Sequence, residues 1–536
     1  MAQDLQTKQD ANKTRHPQQT RTVMMSKDIC ADYQTEVLYN DDYFENLSPK
    51  KLNYLATSKR YHTCDLTQPF NYLELGCGFG HSALIHAAIY PQAQFYACDF
   101  NEVQMQRARY LIDRLNLQNI KLYPMPFSEL LEEELPQMDF VVSHGVYSWV
   151  NSTVRQQMHE IIQNKLKSGG LAYLSYNCLP GMGKIAPLRY MLNEMAKKKQ
   201  GTSFECAKEA LKELNQIKKD LQYYQDNPTI ESIITNFNNS DKYMFGEIFN
   251  PIWKLFYSNE VAQEMEDIGL NFIGHANLPV NHQHQKLKPS LKPHYYALET
   301  SKEKELFLDY AFNTQFRSDV FIKDGKTMNE RELISKLLKM NVGMTRSFSN
   351  LEKSPLIQGE PEFKTLFAKV MQNQVKDNAV SCAQLCEEIT QGNPEQLKSS
   401  LISIMLMINM QVLTHFEHIP ESSDDYKLSA INQNILNFAL ENNQSRALIL
   451  KNQGMGYMMN LLDLFILKQW VEGERQLQVI AQKTIACAKK NPDLLLNKID
   501  INQLTENQQN MMILDWINRF VYESLPNLKY LGLFSH

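Results

Sequence analysis

The stretch NYLELGCGFGHS, residues 71–82, joins an apolar segment to three glycines on alternate positions. A strand that runs into glycines usually makes room for something that the backbone must approach closely. Gly76 permits a tight turn out of the strand, and Gly78 and Gly80 remove the Cβ atoms that would block a ligand. The sequence therefore predicts a ligand over the carboxyl end of this strand.

Two acidic residues indicate the kind of ligand. The loop reads GxGxG and continues with His81, so the dinucleotide motif GxGxxG is not completed. Glu74 stands just before the loop, where a carboxylate favours a cationic ligand. Asp99 ends the next predicted strand, where its carboxylate can accept hydrogen bonds from both hydroxyls of a ribose. In the alternative interpretation, the glycines only pack strand on helix and Asp99 caps a helix that begins at Glu102.

Short apolar runs alternate with helical patterns between residues 70 and 176, which is typical of a parallel sheet with crossover helices. The predicted strands are residues 70–75, 93–99, 120–124, 138–144 and 170–177. Helices are predicted over residues 102–116 and 152–166. The pair Gly169-Gly170 is expected to end the second helix and to start the fifth strand.

The remaining sequence suggests further units. Residues 1–30 are polar and predict a disordered tail, so that residues 31–184 form the first part of the core. Residues 185–250 predict a charged helical insertion, and residues 251–305 return to the core as a helix followed by a strand. Residues 306–424 predict a middle domain with a winged-helix-like segment, and residues 425–536 a helical C-terminal domain.

Composition narrows the function classes. The 536 residues hold 55 Lys and Arg against 60 Asp and Glu, and the net charge of -5 gives no reason to expect nucleic acid as partner. The nine cysteines are an odd number without CxxC pairs, which favours reduced thiols, no metal site and core packing for Cys382 and Cys386. No signal peptide or membrane-spanning run is visible, so we expect a cytoplasmic protein.

The motifs resemble a known family. ELGCGFG with Asp99 is similar to the first two motifs of class I S-adenosylmethionine-dependent methyltransferases. DFVVSHGVYSWV, GGLAYLSYNCLPGM and FNPIWKLFYSNEVAQEMEDIGLNFIG resemble bacterial methyltransferases that carry a methyltransferase regulatory domain, a group that includes the rickettsial-type protein lysine methyltransferases. The resemblance covers residues 39–325. It implies a Rossmann-like α/β core with S-adenosylmethionine as cofactor, a helical insertion that can serve dimerisation, and mainly helical C-terminal domains.

The resemblance also implies a set of cofactor-binding residues. Tyr39 and Tyr43 lie in the segment before the core, where the family contacts the amino-acid end of the cofactor. Class I enzymes often read the adenine amino group after the third strand, where this chain offers Phe127 and Ser128. The complete expected set is Tyr39, Tyr43, Glu74, Gly76, Cys77, Gly78, Gly80, Asp99, Phe100, Asn101, Phe127, Ser128, His144 and Gly145.

The methyl acceptor is expected beside the ends of strands four and five. Many amine methyltransferases carry an Asn/Asp-Pro-Pro-Tyr/Phe turn after strand four, but this chain reads SHGVYSWV. The expected acceptor-site residues are Ser143, His144, Tyr147, Trp149, Tyr176 and Asn177, with Glu247 and Asn250 from a family motif. Alternatively, His144 only bonds neighbouring backbone, Tyr147 and Trp149 form one face of a buried turn, and Tyr176 and Asn177 are a satisfied strand end.

The leading hypothesis is a protein lysine N-methyltransferase that uses S-adenosylmethionine and acts as a homodimer. Two alternatives remain open at the level of sequence. One is a methyltransferase for a small molecule or tRNA, and the other is a cofactor-binding scaffold protein without turnover.

Overall fold

The computed structural model describes residues 42–239, 241–344, 379–416, 426–491 and 501–534, with the short stretches 364–365, 367–368 and 494–495. The predicted tail of residues 1–30 and Tyr39 lie outside the described residues.

The alternating pattern forms five parallel strands of a seven-stranded sheet. The strands are β1 (Asn71–Leu75), β2 (Gln94–Cys98), β3 (Ile120–Tyr123), β4 (Met138–Ser143), β5 (Leu166–Asn177), β6 (Leu270–His275) and β7 (Phe316–Lys323). Their order is β3-β2-β1-β4-β5-β7-β6, and β7 runs antiparallel to both of its neighbours. All five strands predicted from the sequence are confirmed, with ends that differ by one to four residues.

β1 lies at the centre of the sheet and is buried on both faces. Tyr72 packs in one hydrophobic cluster with Phe95 and Phe140, whereas Leu73 and Leu75 pack in the cluster on the opposite face. Successive side chains of a strand point to opposite faces, so a doubly covered strand is mainly apolar, and Glu74 is the exception in β1. Because the strand order reverses at β1, the loops after β1 and β4 diverge and leave a crevice between them.

Helices cover both faces of the five parallel strands. They are α1 (Pro49–Ser58), α2 (His81–Ile89), α3 (Glu102–Leu115), α4 (Phe127–Leu130) and α5 (Ser152–Lys165). Asn101 caps α3 by accepting a hydrogen bond from the backbone N–H of Gln104 at 3.2 Å, so the cap is not Asp99. Asn151 caps α5 in the same way, through the N–H of Val154 at 2.9 Å.

Residues 186–249, within the predicted insertion of residues 185–250, form five α-helices. They are α6 (Ala186–Ala196), α7 (Ser203–Ile217), α8 (Gln222–Asp226), α9 (Ile230–Asn239) and α10 (Asp241–Phe249). These helices enclose a small core of their own that includes Leu188, Leu192, Leu211 and Phe245. The insertion therefore has a hydrophobic core of its own, and its last helix, α10, lies against the main domain.

The sheet is completed by a segment that the sequence pattern placed in the middle domain. α11 (Ser258–Glu266) and β6 return to the core as predicted, and α12 (Lys292–Ala297), α13 (Ser301–Phe312) and β7 follow. The predicted domain boundary at residue 305 is wrong, because β7 pairs with both β5 and β6. The apolar sequence pattern of β7 is interrupted by two charged residues, Arg317 and Asp319. Both side chains are buried, because they form ion pairs in the folded state.

Gly169 and Gly170 do not separate helix from strand, as the sequence suggested. α5 ends at Lys165 and β5 begins directly at Leu166, so both glycines lie within β5. The pairing of β4 with β5 shifts register between Met138 and Phe140, opposite this part of the strand. The glycines thus accompany a bulge rather than a turn.

The rest of the chain is mainly helical, as predicted. It contains α14 (Glu330–Leu338), α15 (Cys382–Thr390), α16 (Leu397–Asn409), α17 (Ala430–Glu441), α18 (Leu461–Val471), α19 (Leu477–Lys490), α20 (Glu506–Arg519) and α21 (Leu525–Tyr530). A small sheet of β8 (Asn341–Met344), β9 (Val380–Ser381) and β10 (Leu413–Phe416) accompanies α14 to α16. The three strands and three helices agree with the predicted winged-helix-like unit. Part of that predicted unit lies outside the described residues.

A hairpin of β11 (Arg446–Leu450) and β12 (Met455–Met459) joins the C-terminal half to the core. The backbone N–H of Ala447 donates to Nε2 of His81 at 3.4 Å, and that of Gly456 donates to the hydroxyl of Tyr43 at 3.1 Å. The hairpin therefore packs on α2, which follows the glycine loop. Within the described residues, no helix is both long and apolar enough to span a membrane, and eight cysteines are free.

Candidate active site

A cavity of about 530 Å³ opens at the carboxyl edge of the sheet, in the crevice where the strand order reverses. Its walls come from the ends of β1 to β5, from residues 42–44 and 315–316, and from α10 of the insertion. We call the part around Glu74, Gly76, Gly78 and Asp99 the glycine-loop end. The part around Trp149, Asn177, Phe245, Glu247 and Asn250 is the insertion end.

The glycine loop needs its glycines for different reasons. Gly76, Gly78 and Gly80 all have positive φ, at 71°, 56° and 69°. A Cβ on Gly76 would lie 2.3 Å from the side chain of Val146, whereas a Cβ on Gly78 would meet nothing closer than 3.8 Å. Gly80 precedes α2 and does not line the cavity, so its role is backbone conformation rather than ligand contact.

Asp99 lines the cavity at the end of β2 and is tied to the loop. One carboxylate oxygen accepts from the N–H of Gly78 at 2.8 Å, and the other accepts from the N–H of Asn101 at 2.9 Å. Burial raises the pKa of Asp99, and these two hydrogen bonds oppose the rise. A carboxylate has about four acceptor positions, so the side chain can hold the loop and still accept from a ligand hydroxyl.

Glu74 places an unsatisfied carboxylate oxygen in the cavity wall. The backbone N–H of Ala83 donates to this carboxyl group, but Oε2 is buried and has no partner among the described residues. Burial raises the pKa of Glu74 to about 8, and the nearby charge of Asp99 adds to the rise. A buried acceptor of this kind is satisfied by a cationic donor, such as the ammonium group of an amino acid.

These residues fit S-adenosylmethionine, the cofactor that the fold implies. Asp99 would provide acceptors for the ribose hydroxyls, and the unpartnered oxygen of Glu74 would provide a partner for the ammonium group. Phe100, Cys77, Asn101, Phe127 and Gly145 also line the cavity, as the resemblance implied.

His144 forms the wall between the two ends of the cavity. Its Nδ1 lies 2.8 Å from the hydroxyl of Tyr173, and its ring lies 4.1 Å from the ring of Phe44, centroid to centroid. Burial lowers the pKa of His144 to about 4, so the imidazole is neutral at pH 7. It can therefore orient a ligand by hydrogen bonding but is a weak proton acceptor.

The insertion end combines an aromatic wall with amide and carboxylate groups. Trp149 lines the cavity and stacks on Trp253 at 6.3 Å, and the Arg189 guanidinium lies 4.9 Å from the Trp253 ring. Asn177 lines the same end, and its Nδ2 is buried without a partner among the described residues. Glu247 and Asn250 of the insertion line this end of the cavity. They are the two residues that the sequence analysis took from a family motif.

Several predicted site residues lie elsewhere. Ser143 is buried and donates to the carbonyl of Leu75 at 2.9 Å, which joins β4 to β1. Tyr147 is fully buried on the far side of its turn, where its hydroxyl bonds His159 and Glu264. The expectation that Tyr147 walls the acceptor site is therefore wrong, since Trp149 two residues later turns to the cavity instead.

Tyr176, Tyr43 and Ser128 are likewise removed from the cavity. Tyr176 donates to Asp319 at 2.6 Å inside the β5–β7 pair. Tyr43 is buried against the C-terminal hairpin and His86, so its predicted contact with the cofactor is replaced by contacts within the protein. Ser128 faces a separate shallow hollow between α4 and α5. Tyr176 and Tyr43 each have a protein partner that sequence spacing does not reveal.

Beneath β5 and β7 lies a buried ionic cluster centred on Arg317. Its guanidinium bonds Glu305 at 2.8 Å, Asp309 at 2.8 Å and Asp319 at 3.0 Å. His275 approaches Glu305 and Asp319 at 3.3 and 3.4 Å. The cluster lowers the pKa of Glu305 to about 2, against the effect of its burial. It holds α13 and β7 in place and so supports Phe316 at the cavity mouth.

The sequence did not identify other residues of the cavity wall. These are Asp42, Phe44, Phe79, His81, Ser82, Gln104, Met125, Pro126, Val146, Val150, Asn151, Val154, Gln157, Met182, Phe245, Gly246, Ile252, Gln315 and Phe316. Most are apolar or belong to helices, where the same residue types serve ordinary packing.

Two family models match this region. Residues 66–244 match a methyltransferase domain, and residues 240–323 match a domain described as a predicted methyltransferase regulatory domain. The second match contains β6 and β7, so this domain completes the sheet of the first.

Relatives occur in bacteria. The uncharacterized protein sll1526 of Synechocystis is 31% identical over 335 residues, which are 62% of this chain and 66% of that protein. The uncharacterized protein RP789 of Rickettsia prowazekii is 24% identical over 311 residues, 57% of this chain and 55% of that protein. The chain thus matches somewhat more than half of the length of each of these relatives.

A solved structure shares the fold across almost the whole chain. PKMT2 from Rickettsia typhi in complex with AdoHcy superposes with a TM-score of 0.68, at 19% identity, over 92% of this chain and 100% of that one. The chain therefore has a class I methyltransferase fold, in which a segment that matches a methyltransferase domain is followed by one that matches a methyltransferase regulatory domain.

Proposed function

We propose that this protein is an S-adenosylmethionine-dependent methyltransferase that methylates lysine side chains of a protein substrate. The main support is one cavity with two chemically different ends. Glu74 and Asp99 at the glycine-loop end suit the ammonium and ribose groups of the cofactor, and the aromatic insertion end suits an alkyl amine. When bound, the cofactor supplies a methyl group on a positively charged sulfur.

Lysine must be neutral to accept a methyl group, and the insertion end favours the neutral form. Trp149 and Phe316 exclude water from an aliphatic chain, which disfavours an ammonium ion. The buried guanidinium of Arg189, 5.6 Å from the ring centre of Trp149, adds a like charge behind this wall. Both effects lower the pKa of an entering lysine, whereas the carboxylate of Glu247 in the same wall favours the ammonium form and offers an acceptor for its proton.

Polar groups then orient the amine. Asn177 and Asn250 provide amide groups in the cavity wall, and neutral His144 provides its second ring nitrogen, since Nδ1 is paired with the hydroxyl of Tyr173. Hydrogen bonds of this kind direct the lone pair of the nitrogen along one line, which is what a direct displacement needs.

The helical insertion is the segment to which we assign self-association. Tyr190 and Ile217 of this insertion are 70% and 40% exposed, and they lie away from the cavity. Sedimentation velocity should give a dimer for the full chain and a larger monomer fraction for a Tyr190→Lys, Ile217→Lys variant. A monomeric full chain would contradict the assignment.

The experiment that tests the activity is labelling of a bacterial lysate with the purified chain and S-adenosylmethionine carrying a tritiated methyl group. We expect label in protein, on lysine in peptides identified by mass spectrometry. At a limiting concentration of the cofactor, Asp99→Ala should reduce the labelling by at least ~10-fold, and Asp65→Ala, a change in an exposed acid outside the cavity, should not reduce it. Label confined to RNA, carboxyl groups or small molecules, with lysine unlabelled, would refute the proposal.

A further inference from the structure

Tyr43 connects the cavity wall to the C-terminal hairpin of β11 and β12. Its neighbours in the chain, Asp42 and Phe44, both line the cavity, whereas the Tyr43 side chain is buried against the hairpin. The hydroxyl of Tyr43 accepts from the backbone N–H of Gly456 at 3.1 Å and lies 3.3 Å from Nε2 of His86 on α2. This short segment before α1 is therefore held between the cavity and the hairpin.

The contact between Tyr43 and the hairpin leaves no space for a side chain at Gly456. A Cβ atom on Gly456 would lie 2.9 Å from the side chain of Ile85 on α2 and 3.0 Å from the ring of Tyr43. Both distances are shorter than the optimal separation of two carbon atoms. A larger residue at this position must therefore push the hairpin away from α2 and from Tyr43.

The hairpin also holds the start of α2, which follows the glycine loop. The backbone N–H of Ala447 on β11 donates to Nε2 of His81 at 3.4 Å, and His81 lines the cavity. Ser82, the next residue, lines the cavity too, and its hydroxyl accepts from the backbone N–H of Phe44 at 3.0 Å. The segment before α1 and the first turn of α2 therefore form one wall of the cavity, and both contact the hairpin.

A third contact reaches the glycine loop itself. Phe79 stands between Gly78 and Gly80, and its ring centre lies 5.2 Å from the guanidinium of Arg107 on α3. The same guanidinium lies 5.8 Å from the ring centre of Phe438 on α17, the helix that precedes the hairpin. Arg107 thus links the glycine loop to the C-terminal part of the chain through a cation–π contact on each side.

We infer that the C-terminal hairpin is a positioning element for the cofactor site, an inference that rests on cofactor binding as the proposed function requires it. Among the described residues, none beyond Phe316 lines the cavity, so the hairpin acts through Tyr43, His81 and the glycine loop. Coupling between two sites is reciprocal. The docked hairpin should therefore raise the affinity for the cofactor, and the bound cofactor should stabilise the docked hairpin.

The first test disrupts the contact at Gly456 in the full chain. Gly456→Val should weaken the binding of S-adenosylhomocysteine, measured by calorimetry, by at least ~5-fold, the lower end of typical coupling between two sites. Tyr457→Val is the matched control, because it places the same residue at the next position of the strand, on the opposite face, where Tyr457 is 43% exposed. This control should keep the affinity within about twofold of that of the unmodified chain.

The second test needs no substitution, so its result does not depend on whether a variant folds. In hydrogen exchange of the unmodified chain, saturating S-adenosylhomocysteine should slow the exchange of the β11 and β12 amides by at least ~5-fold. The amides of α20, in the same part of the chain, should slow by less.

Three results would overturn the inference alone: unchanged exchange in the hairpin, equal slowing in α20 and the hairpin, or equal affinities of Gly456→Val and the unmodified chain. Failure of the unmodified chain to bind S-adenosylhomocysteine would overturn the proposed function together with the inference.

Discussion

Glu74 combines burial, an unpartnered oxygen and a pKa raised to about 8. At pH 7 the carboxyl group of the free protein is therefore mostly protonated. A ligand ammonium favours the ionised form, so binding should release about one proton per site, and affinity should rise as the pH increases from 6 towards 8. Calorimetry of S-adenosylhomocysteine at pH 7, in buffers of different ionisation enthalpy, measures this proton.

The Glu74→Gln variant provides the control for this prediction, because it keeps the shape of the side chain without a titrating group. Proton release and the rise in affinity with pH should both disappear in that variant. Equal proton release in the two proteins would show that the proton comes from another group.

Asp99 is the second residue with a distinct expectation. Asp99→Ala should weaken S-adenosylhomocysteine by about 1.5–3 kcal/mol, the range for hydrogen bonds to a charged group. Asp65 is a matched control, since its carboxylate also accepts from the backbone N–H two residues later, that of Thr67 at 2.9 Å. Unchanged affinity in Asp99→Ala, measured by calorimetry, would remove Asp99 from the ribose site.

At the scale of elements, the turn after β4 presents two aromatic residues to opposite sides. Trp149→Ala should reduce lysine methylation by at least ~10-fold while S-adenosylhomocysteine affinity stays within about threefold, because only the acceptor wall is lost. Tyr147→Ala should instead lower the free energy of unfolding by about 3–5 kcal/mol, as a fully buried aromatic is deleted. Turnover and calorimetry measure the effect on the site, and urea unfolding measures the effect on stability. If the two variants showed the reverse pattern, the roles assigned to Trp149 and Tyr147 would be exchanged.

For the whole molecule, the buried cluster at Arg317 joins the regulatory-domain segment to the methyltransferase sheet. Arg317→Met should lower the free energy of unfolding by about 3–5 kcal/mol, because the carboxylates of Glu305, Asp309 and Asp319 lose their shared partner. Lys197→Ala removes an exposed ion pair with Glu194 and should leave the melting temperature unchanged. Equal effects in thermal unfolding would show that the cluster does not hold the sheet together.

The five parallel strands and the glycine loop were predictable because they depend on local patterns. A strand that is covered on both faces is mainly apolar, and a loop with positive φ at alternate positions needs glycine. β7 was not predictable as a core strand, since Arg317 and Asp319 look like surface residues. Their burial depends on partners from α13, which follow from the tertiary fold alone.

In the candidate site, too, some features depend on local sequence and others on tertiary contacts. By itself the sequence determined the class of fold, the glycine-loop end of the cavity and the positions of Glu74 and Asp99, because each depends on residues that are close in the chain. The tertiary structure decided which aromatic residue lines the cavity, Trp149 rather than Tyr147. This outcome depends on packing between segments far apart in sequence, where a side chain turns towards whichever partner satisfies it.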